Sequence, residues 1–127
     1  MSQSSHAYSP RGRHCIGELW GASIERLKDL EGVMSELEGL LTSYGFTVVG
    51  RAGHSFPEPG GGFTGLVLLS ESHASIHTYP EHRYAAVDLF SCGALDPHPV
   101  LEAFALTLGV KRPHLRTITR GERGSEP

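Results

Sequence analysis

Ser72, His77 and Cys92 are residues whose types and spacing suit nucleophilic and proton-transfer chemistry. Ser72 lies in the run Ser70-Glu71-Ser72-His73, directly after the continuous apolar stretch Leu66 to Leu69. Polar groups where a buried strand would continue with aliphatics break a local rule, and such breaks collect at functional or strained sites. His77 follows Ser72 by five residues and Cys92 follows it by twenty. A hydroxyl, an imidazole that can accept a proton near neutral pH and a thiol are groups able to attack a carbon or move a proton. A turn over Tyr79 to Arg83 would fold the segments that carry them against one another.

Around these three residues stand Glu71-Ser72-His73, Ser75-Ile76-His77-Thr78, Pro80-Glu81, Tyr84-Ala85-Ala86-Val87-Asp88 and Cys92-Gly93. In this order and spacing the chain resembles the prokaryotic class of S-adenosylmethionine decarboxylase proenzymes, small enzymes that make their own pyruvoyl group. A weaker similarity reaches Gly12-Arg13-His14 and Glu18-Leu19-Trp20-Gly21 on one side and Arg120-Gly121 on the other, so residues 12 to 121 are covered.

The resemblance implies self-cleavage between Glu71 and Ser72, with Ser72 converted to a pyruvoyl group that forms a Schiff base with a substrate amine. It gives His77 the role of proton acceptor in processing, Thr64 that of assisting it, and Cys92 that of proton donor in decarboxylation. It assigns substrate binding to Glu81, through the ribose hydroxyls, and to Tyr79 and Phe56, through stacking. The implied substrate is S-adenosylmethionine and the implied product serves spermidine synthesis. The implied assembly is a homodimer of cleaved protomers in which two sheets face each other. Relatives that act on ornithine or arginine form a rival reading, against which Glu81 argues. A non-catalytic partner of a paralogue is a further rival, for which retention of Ser72, His77 and Cys92 has no chemical reason.

The elements that must position these residues follow from periodicity. Cys15 to Ala22 alternates as a strand, with Cys15, Gly17, Leu19 and Gly21 on one face and Ile16, Glu18 and Trp20 on the other. Ile24, Leu27, Leu30, Met34, Leu37, Leu40 and Leu41 form a helical stripe over Ile24 to Tyr44, with Ser23 as N-cap and Gly45 as stop. Phe46 to Arg51 predicts a second strand, Pro57 to Gly62 a flexible loop, and Thr64 into the Ser72 region a third strand, buried on both faces over Leu66 to Leu69. Tyr84 to Cys92 is the fourth. Asp96 and Pro97 start a second helix that ends at Gly109, and Leu115 to Thr119 is a last strand. The order β-α-β-β-β-α-β predicts an α+β two-layer sandwich with an antiparallel sheet covered on one face by two helices.

Composition bounds the remaining possibilities. A chain of 127 residues supports one core, placed over 12–121, between tails at 1–11 and 122–127. A formal charge of −3 gives no basic stripe for nucleic acid. Cys15 and Cys92 are expected as free thiols, and the polar first ten residues carry no apolar signal segment, so the expected location is cytoplasmic, away from membranes. His73, His77 and His82 do not have a zinc spacing, so no metal is expected.

Overall fold

A computed structural model of the chain describes residues 10–123, so the expected tails at 1–11 and 122–127 fall largely outside it. Strands β1 (Gly12–Trp20), β2 (Val48–Ser55), β3 (Phe63–Leu69), β4 (Ser72–Tyr79), β5 (Tyr84–Cys92) and β6 (His114–Arg120) form one sheet in the order β2-β3-β4-β5-β1-β6. Every neighbouring pair is antiparallel. Helices α1 (Leu30–Ser43) and α2 (Pro97–Thr107) lie over one face, α1 above β2 and β3, α2 above β1, β5 and β6. The architecture is the expected α+β sandwich.

The core lies between the helices and that face. Val33, Met34, Leu37 and Leu41 of α1 and Val100, Leu101 and Phe104 of α2 meet Cys15, Leu19, Val67, Ile76, Val87 and Leu89 of the sheet, all buried. Each fully buried aliphatic of this size contributes roughly 1.5–3 kcal/mol, enough in sum to pin the sheet's register. Two polar side chains enter the core with their bonds made. Thr78 Oγ1 donates to the Leu27 carbonyl at 2.7 Å and accepts from Phe63 N at 2.8 Å, while Ser91 Oγ donates to the Leu95 carbonyl at 2.6 Å.

Several boundaries depart from the sequence expectation. The segment from Thr64 into the Ser72 region is two strands, because the chain reverses at Ser70 and Glu71 and pairs Leu69 with Ser72. β3 is buried on one face only: Val67 and Leu69 point inward, whereas Leu68 is half exposed on the face that no helix covers. The first long helix starts at Leu30 instead of Ile24, since the Asp29 carboxylate accepts from Gly32 N at 3.0 Å and caps it there. Ser23 accepts from Arg26 N at 3.3 Å ahead of a 3-10 turn, Arg26–Lys28, which still buries Leu27. β2 runs on through the glycines to Ser55, held by its ladder with β3. β1 begins at Gly12, because β5 and β6 pair with it on both sides, and it ends at Trp20 instead of Ala22, since Gly21 is exposed and turns the chain with φ 82°. β5 spans the expected residues, and α2 is capped by Asp96, which accepts from His98 N at 3.0 Å. No helix among the described residues is long and apolar enough to cross a membrane.

Candidate active site

The sheet face without helices carries several of the residues singled out for chemistry. Strand parity places His73, Ser75, His77 and Tyr79 of β4 on it, beside Tyr84, Ala86, Asp88, Phe90 and Cys92 of β5. These side chains range from half-buried to exposed, whereas Ala74, Ile76, Ala85, Val87 and Leu89 alternate with them into the core.

At one end of this face, β3 turns into β4 through Ser70 and Glu71. Glu71 has φ 64°, a left-handed conformation in which a side chain costs on the order of 1–3 kcal/mol. Ser72 follows at once. Its Oγ accepts from the backbone N–H of Cys92 at 3.3 Å and lies 3.4 Å from the Ser70 carbonyl oxygen, to which it donates. Twenty residues of sequence separation thus close into one contact at the ends of β4 and β5, between the Ser72 side chain and the Cys92 backbone, directly after left-handed Glu71.

At the other end lies a cavity of about 300 Å³ lined by Phe56, Thr64, His77, Tyr79, Glu81 and the glycine loop. Thr64 and His77 are direct partners across β3 and β4, and Thr64 Oγ1 is 3.1 Å from His77 Nδ1. Tyr79 closes β4, and a 3-10 turn, Pro80–His82, carries Glu81 into the wall. Phe56 N donates to the Gly62 carbonyl at 2.8 Å and shuts the loop. Gly62 is required by space, since a Cβ there would stand 2.4 Å from the Thr78 carbonyl oxygen. The two rings, each nearly half exposed, offer apolar faces, and the Glu81 carboxylate offers acceptors only.

The structure therefore gathers the expected residues into two groups. Ser72, Glu71 and Cys92 form one; Thr64, His77, Tyr79, Glu81 and Phe56 form the other. The expected turn over Tyr79 to Arg83 folds β4 against β5, the strands that carry Ser72, His77 and Cys92; within one chain Ser72 meets Cys92 and His77 stands apart from both. Five residues of strand span about 16 Å at roughly 3.3 Å per residue. Strand geometry, with its odd offset, explains the separation.

Sequence reasoning missed a third feature, a hydrogen-bonded cluster centred on Asp88. Its carboxylate accepts from Ser75 Oγ and lies against His14 Nε2 and, at 3.0 Å, His73 Nε2. Burial alone would raise the Asp88 carboxyl, but the hydrogen bonds from Ser75, His14 and His73 outweigh it and hold the group below the usual carboxylate range. Shared parity of His14, His73, Ser75 and Asp88, read with the pairing of β1, β5 and β4, was the signal available.

Among the described residues His14, His73 and Asp88 are the group whose ligand atoms converge, within 4.8 Å of one another; His77 and His82 do not join them. Arg120 extends the cluster. Its Nη1 lies 3.1 Å from His14 Nδ1 and can only donate, so Nδ1 accepts and the His14 proton sits on Nε2, facing Asp88. With Ser75 and His73 this forms one hydrogen-bonded network around the Asp88 carboxylate. Cys15 is buried in the core, and burial pushes its thiol upward, which suits an inert apolar role.

The S-adenosylmethionine decarboxylase family model matches residues 13–121. The S-adenosylmethionine decarboxylase proenzyme of Geobacillus sp. (strain WCH70) is 37% identical over 115 residues, covering 91% of both chains. That of Methanococcus maripaludis (strain C5) is 39% identical over 111 residues, covering 87% of this chain and 89% of the relative. The crystal structure of the adenosylmethionine decarboxylase from Aquifex aeolicus superposes with a TM-score of 0.78 at 30% identity, over 94% of this chain and 98% of that one.

Proposed function

The chain belongs to the S-adenosylmethionine decarboxylase family, and from that premise we propose that residues 12–121 are one self-processing domain that converts S-adenosylmethionine to decarboxylated S-adenosylmethionine and CO2. The observation that supports it most directly is the placement of Ser72 immediately after left-handed Glu71 and against Cys92.

Ser72 Oγ attacks the carbonyl carbon of Glu71 and gives up its proton; the C–N bond breaks, the nitrogen takes a proton, and the amide becomes an ester. Release of the left-handed Glu71 conformation favours this step over resonance in a planar amide. A base removes the Ser72 α-proton, the electron pair forms a Cα=Cβ bond, and the Glu71 carboxylate leaves from Cβ. The dehydroalanine adds water and loses ammonia, leaving a pyruvoyl group at the head of the second chain. The residues present fit this group, because Ser72 opens β4 beside the polar end of the face, where Cys92 N–H already holds its side-chain oxygen. The pyruvoyl carbonyl supplies an electron sink for decarboxylation. Cys92, whose backbone N–H reaches Ser72 Oγ, returns a proton to carbon after CO2 leaves. Phe56 and Tyr79 stack on a planar base, and Glu81 accepts hydrogen bonds from a ribose diol.

His77 serves as the processing base, held by Thr64, in a site that two copies complete. About 16 Å of strand separates it from Ser72 of its own chain. A second copy laid face to face and in the opposite sense sets His77, Thr64 and the cavity of one chain over Ser72 and Cys92 of the other. The uncovered face, with half-exposed Leu68 and exposed Trp20, suits such a homodimer. On this reading the protein works in the cytoplasm, where two free thiols persist, and its product supplies spermidine synthesis.

Intact-mass measurement on the purified protein tests the proposal. Fragments of 71 and 56 residues are expected, the smaller blocked at its N-terminus by pyruvoyl. A single full-length species after prolonged incubation would overturn self-processing.

A further inference from the structure

The cavity wall contributed by Tyr79 continues across the sheet. Tyr79 is the register partner of Tyr84, and Tyr84 is the register partner of Trp20, so three rings stand in one row over β4, β5 and β1. The rings are in contact: Tyr79 and Tyr84 stack with centroids 5.6 Å apart and planes 28° apart, and Tyr84 and Trp20 lie 4.3 Å and 31° apart. Tyr84 is also held at its far end, where its hydroxyl donates to the Glu18 carboxylate. That hydrogen bond, more than burial, keeps the phenol protonated, with its pKa pushed up to about 12.

Tyr79 by contrast is nearly half exposed and ends its strand just before Pro80, and no hydrogen bond from its own hydroxyl fixes it among those the structure shows. A ring with one face toward a ligand and the other toward solvent loses rotamer freedom when it stacks, and that loss weakens binding. A rigid ring behind it removes part of the cost in advance. Tyr84 meets this requirement because Glu18, Trp20 and the sheet ladder all fix it.

We propose that Tyr84 is a positioning residue for the base-stacking subsite: its ring, clamped between Trp20 and Glu18, backs Tyr79 and pre-sets the face that Tyr79 offers to a planar base. The proposal rests on the reading that the cavity holds a nucleoside. It assigns the ring the main role and the hydroxyl a supporting one.

The sole tryptophan of the chain stands at the end of this row, so its emission reports on the stack. Adenosine, which has no reactive amino acid, serves as the probe. In the processed wild-type protein adenosine shifts or quenches Trp20 emission, and Tyr84→Leu suppresses that response. An aromatic contact of this kind corresponds to roughly a two- to tenfold effect, so KM for S-adenosylmethionine rises by about that factor in Tyr84→Leu, more than kcat changes. Tyr84→Phe recovers most of the wild-type KM. A KM unmoved in Tyr84→Leu while Tyr79→Ala raises it overturns the proposal and leaves the nucleoside reading standing. Unchanged KM in Tyr79→Ala as well removes both. A loss of self-cleavage in Tyr84→Leu that matches the rise in KM overturns it too, by assigning the ring to assembly of the two-copy site. Where Tyr84→Leu fails to fold, Tyr84→Phe and the wild-type emission response decide: absence of any response to saturating adenosine overturns the proposal.

Discussion

Thr64 Oγ1 lies 3.1 Å from His77 Nδ1, across a direct register pair of β3 and β4 and inside the wall of the cavity that Phe56, Tyr79 and Glu81 also line. The hydroxyl engages Nδ1, and no hydrogen bond to Nε2 is found among the described residues. A histidine held this way can take a proton from whatever is laid against the face, which in the proposed dimer is the α-carbon of Ser72.

This relationship gives a complementation test. His77→Ala stalls processing at the ester, and hydroxylamine splits the stalled chain. Mixed with Ser72→Ala, whose His77 is intact, the stalled chain regains cleavage through the second copy. Failure of the mixture to cleave, with mixed dimers demonstrated by mass, would rule out a base supplied in trans. Thr64→Val, which keeps the branched shape, slows processing without abolishing it.

Relief of strain at the cleavage point has an opposite effect on stability and on processing. Glu71→Gly fits φ 64° without a Cβ, so a non-cleaving Ser72→Ala background gains up to about 1 kcal/mol in thermal unfolding. In the background with Ser72, ester formation slows. A faster time course on denaturing gels would show that the left-handed conformation does not drive the reaction.

Glu81→Gln separates the candidate substrate classes. A carboxylate accepting from a hydroxyl is worth about 1.5–3 kcal/mol, so release of labelled CO2 from S-adenosylmethionine weakens, mainly in KM. Activity of the unmutated protein on ornithine or arginine, with none on S-adenosylmethionine, would overturn the nucleoside assignment.

Asp88 contributes stability with a defined pH sense. Its folded pKa is lowered, so its contribution is present above the ordinary carboxylate value, about 3.9, and is lost as pH falls through the folded value. Asp88→Asn costs about 1–3 kcal/mol near neutral pH, by weakening the hydrogen bonds of Ser75, His14 and His73. The gap between the two proteins in denaturant titrations narrows below about pH 4. A gap independent of pH would show that the carboxylate charge is not what the cluster uses.

Gly62→Ala puts a methyl group 2.4 Å from the Thr78 carbonyl oxygen and forces the loop off the cavity wall. Overpacking of this kind costs typically about 1–3 kcal/mol, and KM rises because Phe56 loses the Phe56 N to Gly62 carbonyl closure. Unaltered KM would show that the loop does not shape the binding surface.

Elements whose reasons are local were legible in the amino-acid order. Alternation gave the inward set Cys15, Gly17 and Leu19, and β5 over Tyr84–Cys92. Asp96-Pro97 and Gly109 bounded α2, and Gly45 ended α1. The α+β class followed from that order, and the pattern around Ser72, His77 and Cys92 carried the family resemblance. Elements decided by partners distant in sequence were not legible. Asp29 outcompeted Ser23 as a cap because the 3-10 turn buries Leu27 under the sheet. The reversal at Glu71 is invisible to propensity because a charged residue rarely takes positive φ, and only pairing of Leu69 with Ser72 holds it there. The Asp88 cluster needs His14 from β1, Arg120 from β6 and His73 from β4, which the sheet order alone makes neighbours. Sequence spacing placed Ser72 and His77 five residues apart; the extended geometry of β4 turned that spacing into distance, so their chemical partnership depends on how two chains meet.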